Sequence, residues 1–80
     1  MSIVEVLLPQ AGMGMQDGEV VEWLKNIGDV VKKDEVILEV ESAKVTIDVV
    51  APVDGELIEI VAEQGSVIAV RDVIARIKEH

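Results

Sequence analysis

The chain has 80 residues, half of them hydrophobic, and a formal net charge of −9 at pH 7. That length provides for one small domain, residues 1–80, with a single core, and no apolar run approaches the roughly 20 residues that span a bilayer. The negative charge opposes binding to nucleic acid or anionic lipid, and the absence of cysteine excludes disulfides and thiolate metal sites. We therefore expect a soluble domain without nucleic-acid or membrane partners.

The order of apolar and turn residues predicts an all-β fold. Val, Ile, Leu and Ala supply nearly all of the hydrophobic content, and Trp23 is the only aromatic residue, a composition that favours strands. Apolar residues 20–24 lead into turn signals at 26–29, and residues 57–61 lead into turn signals at 63–66, so each half predicts a bent hairpin. Because no segment carries a capped helical stripe, a sandwich or barrel of short strands is expected.

Two neighbouring segments show the period-2 alternation of strands with one core face. Apolar residues occupy the even positions from 36 to 40 and the odd positions from 45 to 49, with mostly polar residues between them. These two strands flank the short connection Ser42-Ala43-Lys44. The alternation predicts that the odd positions of the first strand, including Ile37, face away from the core.

The chain contains an internal repeat. Residues 18–41 align without gaps on residues 55–78, an offset of 37 residues, and seven of the 24 aligned positions are identical. The identical pairs are Gly18/Gly55, Glu19/Glu56, Glu22/Glu59, Gly28/Gly65, Val30/Val67, Val36/Val73 and Ile37/Ile74. Two copies of a supersecondary unit predict a pseudo-twofold domain, in which two small sheets, each taking strands from both halves, bury the valine faces.

The residues that connect the two copies have no counterpart after the second copy. Among them, Lys44 on a tight turn would project its ammonium into water, with Glu39, Glu41 and Asp48 near in sequence. A modifying enzyme can enclose a side chain at a turn tip more readily than one along a strand face. Exposed lysines usually serve only solvation, so the position alone leaves both interpretations open.

Successive blocks of the chain resemble those of lipoyl domains from 2-oxo acid dehydrogenase complexes, in order and over essentially the whole length. These blocks are residues 8–12 (LPQAG), 15–18 (MQDG), 23–24 (WL), 28–31 (GDVV), 41–45 (ESAKV) and 51–55 (APVDG). The resemblance implies a flattened β-barrel or sandwich of two four-stranded antiparallel sheets with pseudo-twofold symmetry. It also implies lipoic acid in amide linkage to Lys44 on a protruding hairpin, with Glu41, Ser42, Ala43 and Val45 around it.

The resemblance implies a carrier rather than an enzyme. Lipoyl-Lys44 would act as a swinging arm that carries acyl groups and reducing equivalents between the thiamine-dependent decarboxylase, acyltransferase and dihydrolipoyl dehydrogenase of a 2-oxo acid or acetoin dehydrogenase complex. A lipoate ligase or lipoyl transferase would attach the group. The chain would be the N-terminal domain of an acyltransferase component, monomeric when isolated, in the bacterial cytoplasm or, after processing, the mitochondrial matrix. The loop from Leu8 to Asp17 and the acidic hairpin flanks would decide which decarboxylase accepts it.

Three further interpretations compete with this one. Biotin carriers share the fold, but their lysine commonly lies between two methionines, whereas Ala43 and Val45 flank Lys44 here, which favours lipoate. An unmodified interaction module is the second, and the lipoylated carrier of the glycine cleavage system is the third. Ala43 also stands where the family usually has Asp, and Val70-Arg71-Asp72 occupy a turn where the family often has glycine.

The remaining polar and unusual residues predict no catalytic or metal site. The glycines at 12–18 have the wrong spacing for a phosphate-binding loop and precede a strand rather than a helix. His80 is the only histidine and ends the chain, which is typical of a frayed terminus. Trp23, Met13 and Met15 are interpreted as packing residues, and the scattered carboxylates as a solvated surface.

Overall fold

A computed structural model of the protein describes residues 2–10, 14–42 and 45–80. Within these ranges the chain forms eight strands and no helix, which confirms the all-β prediction. The strands are β1 (Ile3–Leu7), β2 (Asp17–Trp23), β3 (Val30–Val31), β4 (Val36–Ser42), β5 (Val45–Val50), β6 (Gly55–Ile60), β7 (Val67–Ala69) and β8 (Val73–Glu79).

The strands form two four-stranded antiparallel sheets, as predicted. The first sheet has the order β1-β8-β6-β3 and the second the order β5-β4-β2-β7. The sheets pack as a flattened sandwich and do not close into a barrel, and the molecule measures 35 × 20 × 18 Å. We refer to them below as the β8 sheet and the β4 sheet.

Each sheet takes one short strand from the other half of the chain, so the prediction that the halves exchange strands is confirmed. Each half is a bent hairpin as predicted, since β2 pairs with β4 and β6 pairs with β8, while the short strands β3 and β7 cross to the other sheet. Gly28, at φ 97°, donates its N–H to the Leu57 carbonyl at 2.7 Å, and Leu57 donates to the Asp29 carbonyl at 2.9 Å. The crossing places Val31 in the core, where it is fully buried.

The internal repeat is present in the register of the strand pairs. Val20 pairs with Val40, and the residues 37 positions later, Leu57 and Ile77, pair in the same way. A bulge follows Val20 in β2 and the equivalent Leu57 in β6. The repeat in the sequence therefore corresponds to a repeat in backbone register, and the pseudo-twofold prediction is confirmed.

The core lies between the sheets and consists of aliphatic side chains contributed by both halves. β4 and β8 have the same burial pattern along their seven residues. Ile37 and Leu38 are both fully buried, so the strict alternation predicted for this strand is wrong at Ile37. The cause is the irregular register between Val36 and Leu38, since a bulge lets consecutive residues face the same side.

Two equivalent glycines allow close approach of neighbouring strands. A Cβ atom at Gly18 would lie 2.5 Å from Cγ1 of Val40, and one at Gly55 would collide with the backbone carbonyl oxygen of Lys78. Both glycines are buried. Glycine is therefore required at both positions by packing, and at Gly55 the obstacle is backbone, which a rotamer change cannot move aside.

Candidate functional site

The candidate site lies at the end of the β4–β5 hairpin. β4 ends at Ser42 and β5 begins at Val45, and these two residues are paired across the hairpin. Ala43 and Lys44 stand between them in the sequence and lie outside the residues that the structure describes. The prediction that Lys44 occupies the tip therefore stays a prediction, while the strands that flank it pair up to the residues on either side.

The hydroxyl group of Ser42 connects the hairpin to the neighbouring strand. Its Oγ donates a hydrogen bond to the backbone carbonyl of Asp17 at 2.8 Å, where β2 begins. The bond holds the last residue of β4 against the start of β2, directly after residues 14–16. The sequence indicates Ser42 only as context for Lys44, because a contact between residues 25 positions apart cannot be read from either local segment.

The turn after β7 also reaches this end of the molecule. The N–H of Val70 donates to the Gln16 carbonyl at 2.9 Å, and that of Arg71 to the Leu8 carbonyl, also at 2.9 Å. Ala69, the last residue of β7, pairs with Asp17. The hairpin end is therefore built from three described segments: the 42–45 flanks, residues 14–17, and the turn at 70–72.

The predicted recognition loop from Leu8 to Asp17 is only partly available to a partner. Leu8 is 1% exposed and belongs to the core, so its assignment to a contact surface is wrong. Its N–H bonds to the Asp72 carbonyl at 3.1 Å, which makes this position part of the sandwich rather than a free loop. Pro9, Gln10 and Gln16 are exposed, and residues 11–13 lie outside the described ranges.

The predicted neighbours of Lys44 that can be described differ in exposure. Glu41 is exposed, Ser42 is half-buried, and Val45 is 59% exposed. Across the sheet, Glu41 pairs with Thr46 on β5 and with Glu19 on β2. A solvent-facing valine and a carboxylate thus flank the two-residue connection on opposite strands.

The outer faces of the two sheets carry different charges at equivalent positions. In the β8 sheet, Arg76 on the central strand contacts Glu59 at 2.6 Å and Glu5 at 3.3 Å; the hydrogen bond with Glu59 is the main reason that the pKa of the guanidinium is raised. The equivalent row in the β4 sheet has a glutamate at its centre. The two rows, named for their central residues, are Glu5–Arg76–Glu59 (the Arg76 row) and Asp48–Glu39–Glu22 (the Glu39 row).

The Glu39 row lies on the hairpin strands, one step from the Glu41 and Glu19 pair. None of these carboxylates forms an ion pair with a described cation. Within the described ranges, no three His, Cys, Asp or Glu side chains are grouped so as to hold a metal ion. The arrangement therefore presents an acidic, solvent-facing surface along both strands that lead to the hairpin end.

Trp23 and Met15 contribute to packing, and His80 lies at the surface. Trp23 packs against the core and donates its indole N–H to the Ala62 carbonyl at 2.8 Å, which confirms the packing interpretation. Met15 also packs against the core, while Met13 lies outside the described residues. β2 follows the glycine-rich segment, so no helix begins there. His80 is exposed, and its backbone N–H bonds to the Asp54 carbonyl at 3.1 Å.

No helix among the described residues is long and apolar enough to cross a membrane.

Outside the site, two contacts change the pKa of the Glu35 carboxyl group. The Lys25 ammonium lies 3.0 Å from Glu35, and the Lys32 N–H donates to the same carboxylate at 3.0 Å. These contacts, the one with Lys25 foremost, lower the pKa of Glu35.

Comparison with known proteins gives a consistent result. Residues 4–77 match the sequence profile of the family described as "Biotin-requiring enzyme". A dihydrolipoyllysine-residue acetyltransferase component of pyruvate dehydrogenase complex from Staphylococcus aureus is 38% identical over 73 residues, and its counterpart from Staphylococcus epidermidis is 37% identical. Each alignment covers 91% of this chain and 17% of the relative, so the chain spans about a sixth of those proteins.

Solved structures share the fold. The lipoyl domain of the 2-oxoglutarate dehydrogenase complex from Azotobacter vinelandii superposes with a TM-score of 0.76 at 32% identity, covering 95% of this chain and 96% of that one. The urea carboxylase of Kluyveromyces lactis superposes with a TM-score of 0.82 at 18% identity, covering 98% of this chain and 6% of the carboxylase. At that identity the second likeness concerns the fold alone.

Proposed function

Since the chain belongs to the biotinyl/lipoyl attachment family, and within it to the lipoyl domains, we propose that Lys44 carries lipoic acid and that the domain serves as a mobile carrier. The observation that carries the proposal is the pairing of Ser42 with Val45, which leaves a two-residue connection containing Lys44. A sandwich with such a short connection suits a carrier, because the remainder of the strand pair holds the attachment point in one position.

The described residues fit an attached neutral arm. Amide formation removes the ammonium charge of Lys44. The carboxylates that flank the hairpin end form no ion pair with a described residue, so loss of this charge breaks no described ion pair. Exposed Val45 offers apolar contact near the attachment point. When bound, lipoic acid supplies a dithiolane that takes up acyl groups and reducing equivalents, chemistry that belongs to the cofactor and not to the protein.

The role of this chain is then to present and orient the attached group and to offer a surface that partner enzymes recognise. Ser42 holds the end of the hairpin against β2 through its hydrogen bond to the Asp17 carbonyl, and the 14–17 and 70–72 segments form the adjoining surface. Glu41 and the Glu39 row give that surface its negative field. Such a field suppresses unsuitable partners and speeds encounter with suitable ones.

We further propose that the chain is one domain of an acyltransferase component of a 2-oxo acid dehydrogenase complex. Its partners would be a thiamine-dependent decarboxylase, dihydrolipoyl dehydrogenase, and a lipoate ligase or lipoyl transferase, in a bacterial cytoplasm. The identity with acetyltransferase components of pyruvate dehydrogenase complexes supports this assignment. Attachment to a larger assembly would replace diffusion by an effective concentration of about millimolar for a suitable linker.

Biotin attachment is the second candidate, because carboxylases share the fold. The residues next to Lys44 distinguish the two, since Ala43 and Val45 replace the methionines that commonly flank biotinyl-lysine. The identity to a lipoyl domain, at 32%, is also higher than the 18% and 16% to the two carboxylases. Both observations favour lipoate.

The proposal is tested by intact-mass measurement of the 80-residue chain after incubation with lipoate–protein ligase, lipoate and ATP, and separately with biotin ligase, biotin and ATP. We expect a single lipoyl adduct, mapped to Lys44 by peptide sequencing, and no biotinyl adduct. Lys44→Arg should abolish the adduct, with Lys25→Arg as the matched control that keeps it. A biotinyl adduct, or no adduct with either active ligase, would contradict the proposal.

A further inference from the structure

Two residues other than glycine adopt a left-handed backbone conformation among the described residues, and they occupy equivalent places in the two halves. Asp34 has φ 70° and Arg71 has φ 75°, and their positions differ by the repeat offset of 37 residues. Aspartate is several-fold enriched in this conformation, whereas a long side chain such as arginine is uncommon there. The backbone at Arg71 would be easier for glycine.

The turn at Arg71 is held in place from both sides. The Asp72 N–H donates to the Ala69 carbonyl at 3.0 Å, and the Asp72 carboxylate accepts from the Ala69 N–H at 3.1 Å. Arg71 itself bonds to the Leu8 carbonyl. These contacts hold the turn on both sides, and arginine adopts the left-handed conformation there against its backbone preference.

Arg71 lies at the hairpin end of the molecule. β7 ends at Ala69, which pairs with Asp17, and Asp17 accepts the hydrogen bond from Ser42. Asp34 is at the opposite end, where it bonds to the Ala51 carbonyl at 2.8 Å. The two equivalent turns therefore differ in location, and only the one beside the hairpin has arginine.

The Arg71 side chain is exposed, and it forms no ion pair with any described residue. Other described cations are engaged or lie elsewhere: Lys25 contacts Glu35, and Arg76 occupies the centre of its row. Lys32, Lys33 and Lys78 lie at the far end, where Asp54 accepts hydrogen bonds from the backbone N–H groups of Lys33 and His80. Among the described residues, Arg71 is the one positive charge at the hairpin end, within a chain whose net charge is −9.

We propose that Arg71 is a specificity-determining residue, whose exposed guanidinium at the hairpin end binds a carboxylate of the enzyme that encloses Lys44. The inference rests on the proposed function. A guanidinium presents a rigid fork of donors that matches a carboxylate in direction as well as charge. An enzyme with a carboxylate facing Arg71 would therefore bind in one orientation. An enzyme without such a carboxylate would leave the guanidinium unpaired and would bind less tightly.

The test compares the wild-type 80-residue chain with Arg71→Gly, Arg71→Gln and Asp34→Gly. Two reactions are followed by intact mass: lipoylation by lipoate–protein ligase, and reductive acylation of the lipoylated chain by the pyruvate-decarboxylating component of a bacterial pyruvate dehydrogenase complex. The melting temperature of each variant is measured in parallel. Arg71→Gln removes the charge and keeps a side chain, whereas Arg71→Gly also relieves the backbone.

We expect Arg71→Gly to raise the melting temperature by about 4 °C while lowering kcat/KM about tenfold in at least one reaction, since hydrogen bonds to charged groups contribute on that order. Arg71→Gln should lower kcat/KM similarly without the rise in stability. Asp34→Gly should leave both rates unchanged. A rate that falls while stability rises cannot come from damage to the fold.

Unchanged kcat/KM in both reactions for the two Arg71 variants would overturn the inference, and so would a fall confined to Arg71→Gly, because flexibility and not charge would then be responsible. If the wild-type chain itself acquires no adduct, the proposed function fails and the inference falls with it. Normal lipoylation of the wild type with equal rates throughout rejects only the role of Arg71.

Discussion

The outer faces of the two sheets have the same backbone and different charges. The Arg76 row has a cation between two carboxylates, with contacts at 2.6 and 3.3 Å. The Glu39 row occupies the equivalent place and has three carboxylates. Inside the sandwich the equivalence is maintained, since β4 and β8 bury the same positions. The two halves are therefore equivalent in their buried positions, on which the fold depends. They differ in the charges on the outer faces, on which the fold does not depend.

The largest expected effect concerns the two glycines that the repeat shares. Gly55→Ala should destabilise the protein by about 3 kcal/mol, because its Cβ meets the backbone of β8, and Gly18→Ala by about 1–2 kcal/mol, because its Cβ meets the Val40 side chain. Urea unfolding at fixed m-value measures both.

A second background separates the two causes. In a Val40→Ala protein, Gly18→Ala should be nearly neutral, because the colliding Cγ1 is gone. The corresponding Ile77→Ala background should not rescue Gly55→Ala. Equal costs for the two glycines in the wild-type background, or rescue of Gly55→Ala by the truncation at Ile77, would contradict the distinction between side-chain and backbone obstacles.

The next effect concerns the hydrogen bond that only one half possesses. Ser42→Ala should lower the free energy of unfolding by about 1 kcal/mol, as expected for one lost hydrogen bond to a backbone carbonyl. Ser42→Thr should restore most of it, and Ser66→Ala, at a hydroxyl for which no side-chain bond is seen, is the matched control. If Ser42→Ala and Ser66→Ala have the same unfolding midpoint, the contact with Asp17 contributes nothing.

A smaller effect is expected from exchanging the central charges of the two rows. Glu39→Arg should raise the urea midpoint, because the new guanidinium would lie between Asp48 and Glu22, and Arg76→Glu should lower it. Both changes should shrink in 1 M NaCl, where charges are screened beyond about 3 Å. Shifts that do not depend on salt would mean that the rows differ in packing and not in charge.

The smallest effect concerns pH and the ion pair at Glu35. Because the pKa of Glu35 is lower in the folded protein than its usual value of 4.5, its contribution to stability is present above that pH. It is lost as the pH falls through the lowered pKa. The melting temperature of the wild type should therefore exceed that of Glu35→Gln slightly at pH 7, and the difference should shrink as the pH falls below 4.5 and through the lowered pKa. Lys25→Met should remove most of this dependence, and its persistence would show that Lys25 is not the main cause.

Sequence patterns predicted the sheets better than the path of the chain between them. The offset of 37 residues predicted the equivalence of the two halves, because strand alternation and turn glycines are local signals. The sequence did not identify β3 as an exchanged strand, because two residues, Val30–Val31, carry no periodicity, and the partners of β3 are Glu56 and Gly55 in the other half. A bulge likewise escaped detection at Ile37, since bulges change the face of a residue without changing its composition.

The candidate site was predicted as far as its strands. The boundary at Val45 follows from the alternation, whereas Ser42, expected in the connection, is the last residue of β4. The block at 41–45 indicated lysine attachment. Contacts between distant segments, such as Ser42 with Asp17, could not be read from a single sequence. The unusual turn at Arg71 was noticed as a departure from glycine, but its position beside the hairpin required the pairing of β7 with β2.

The hydrogen bond from the Glu79 N–H to the Ser2 carbonyl, at 2.8 Å, corresponds to the pairing of Ser42 with Val45. A peptide bond between residues 80 and 1 would leave two residues between Glu79 and Ser2, the same number that separates Ser42 from Val45. The fold is thus suited to circular permutation, and a chain opened after residue 43 should form the same sandwich. A lysine placed in the new junction would move the attachment point to the opposite end of the sandwich.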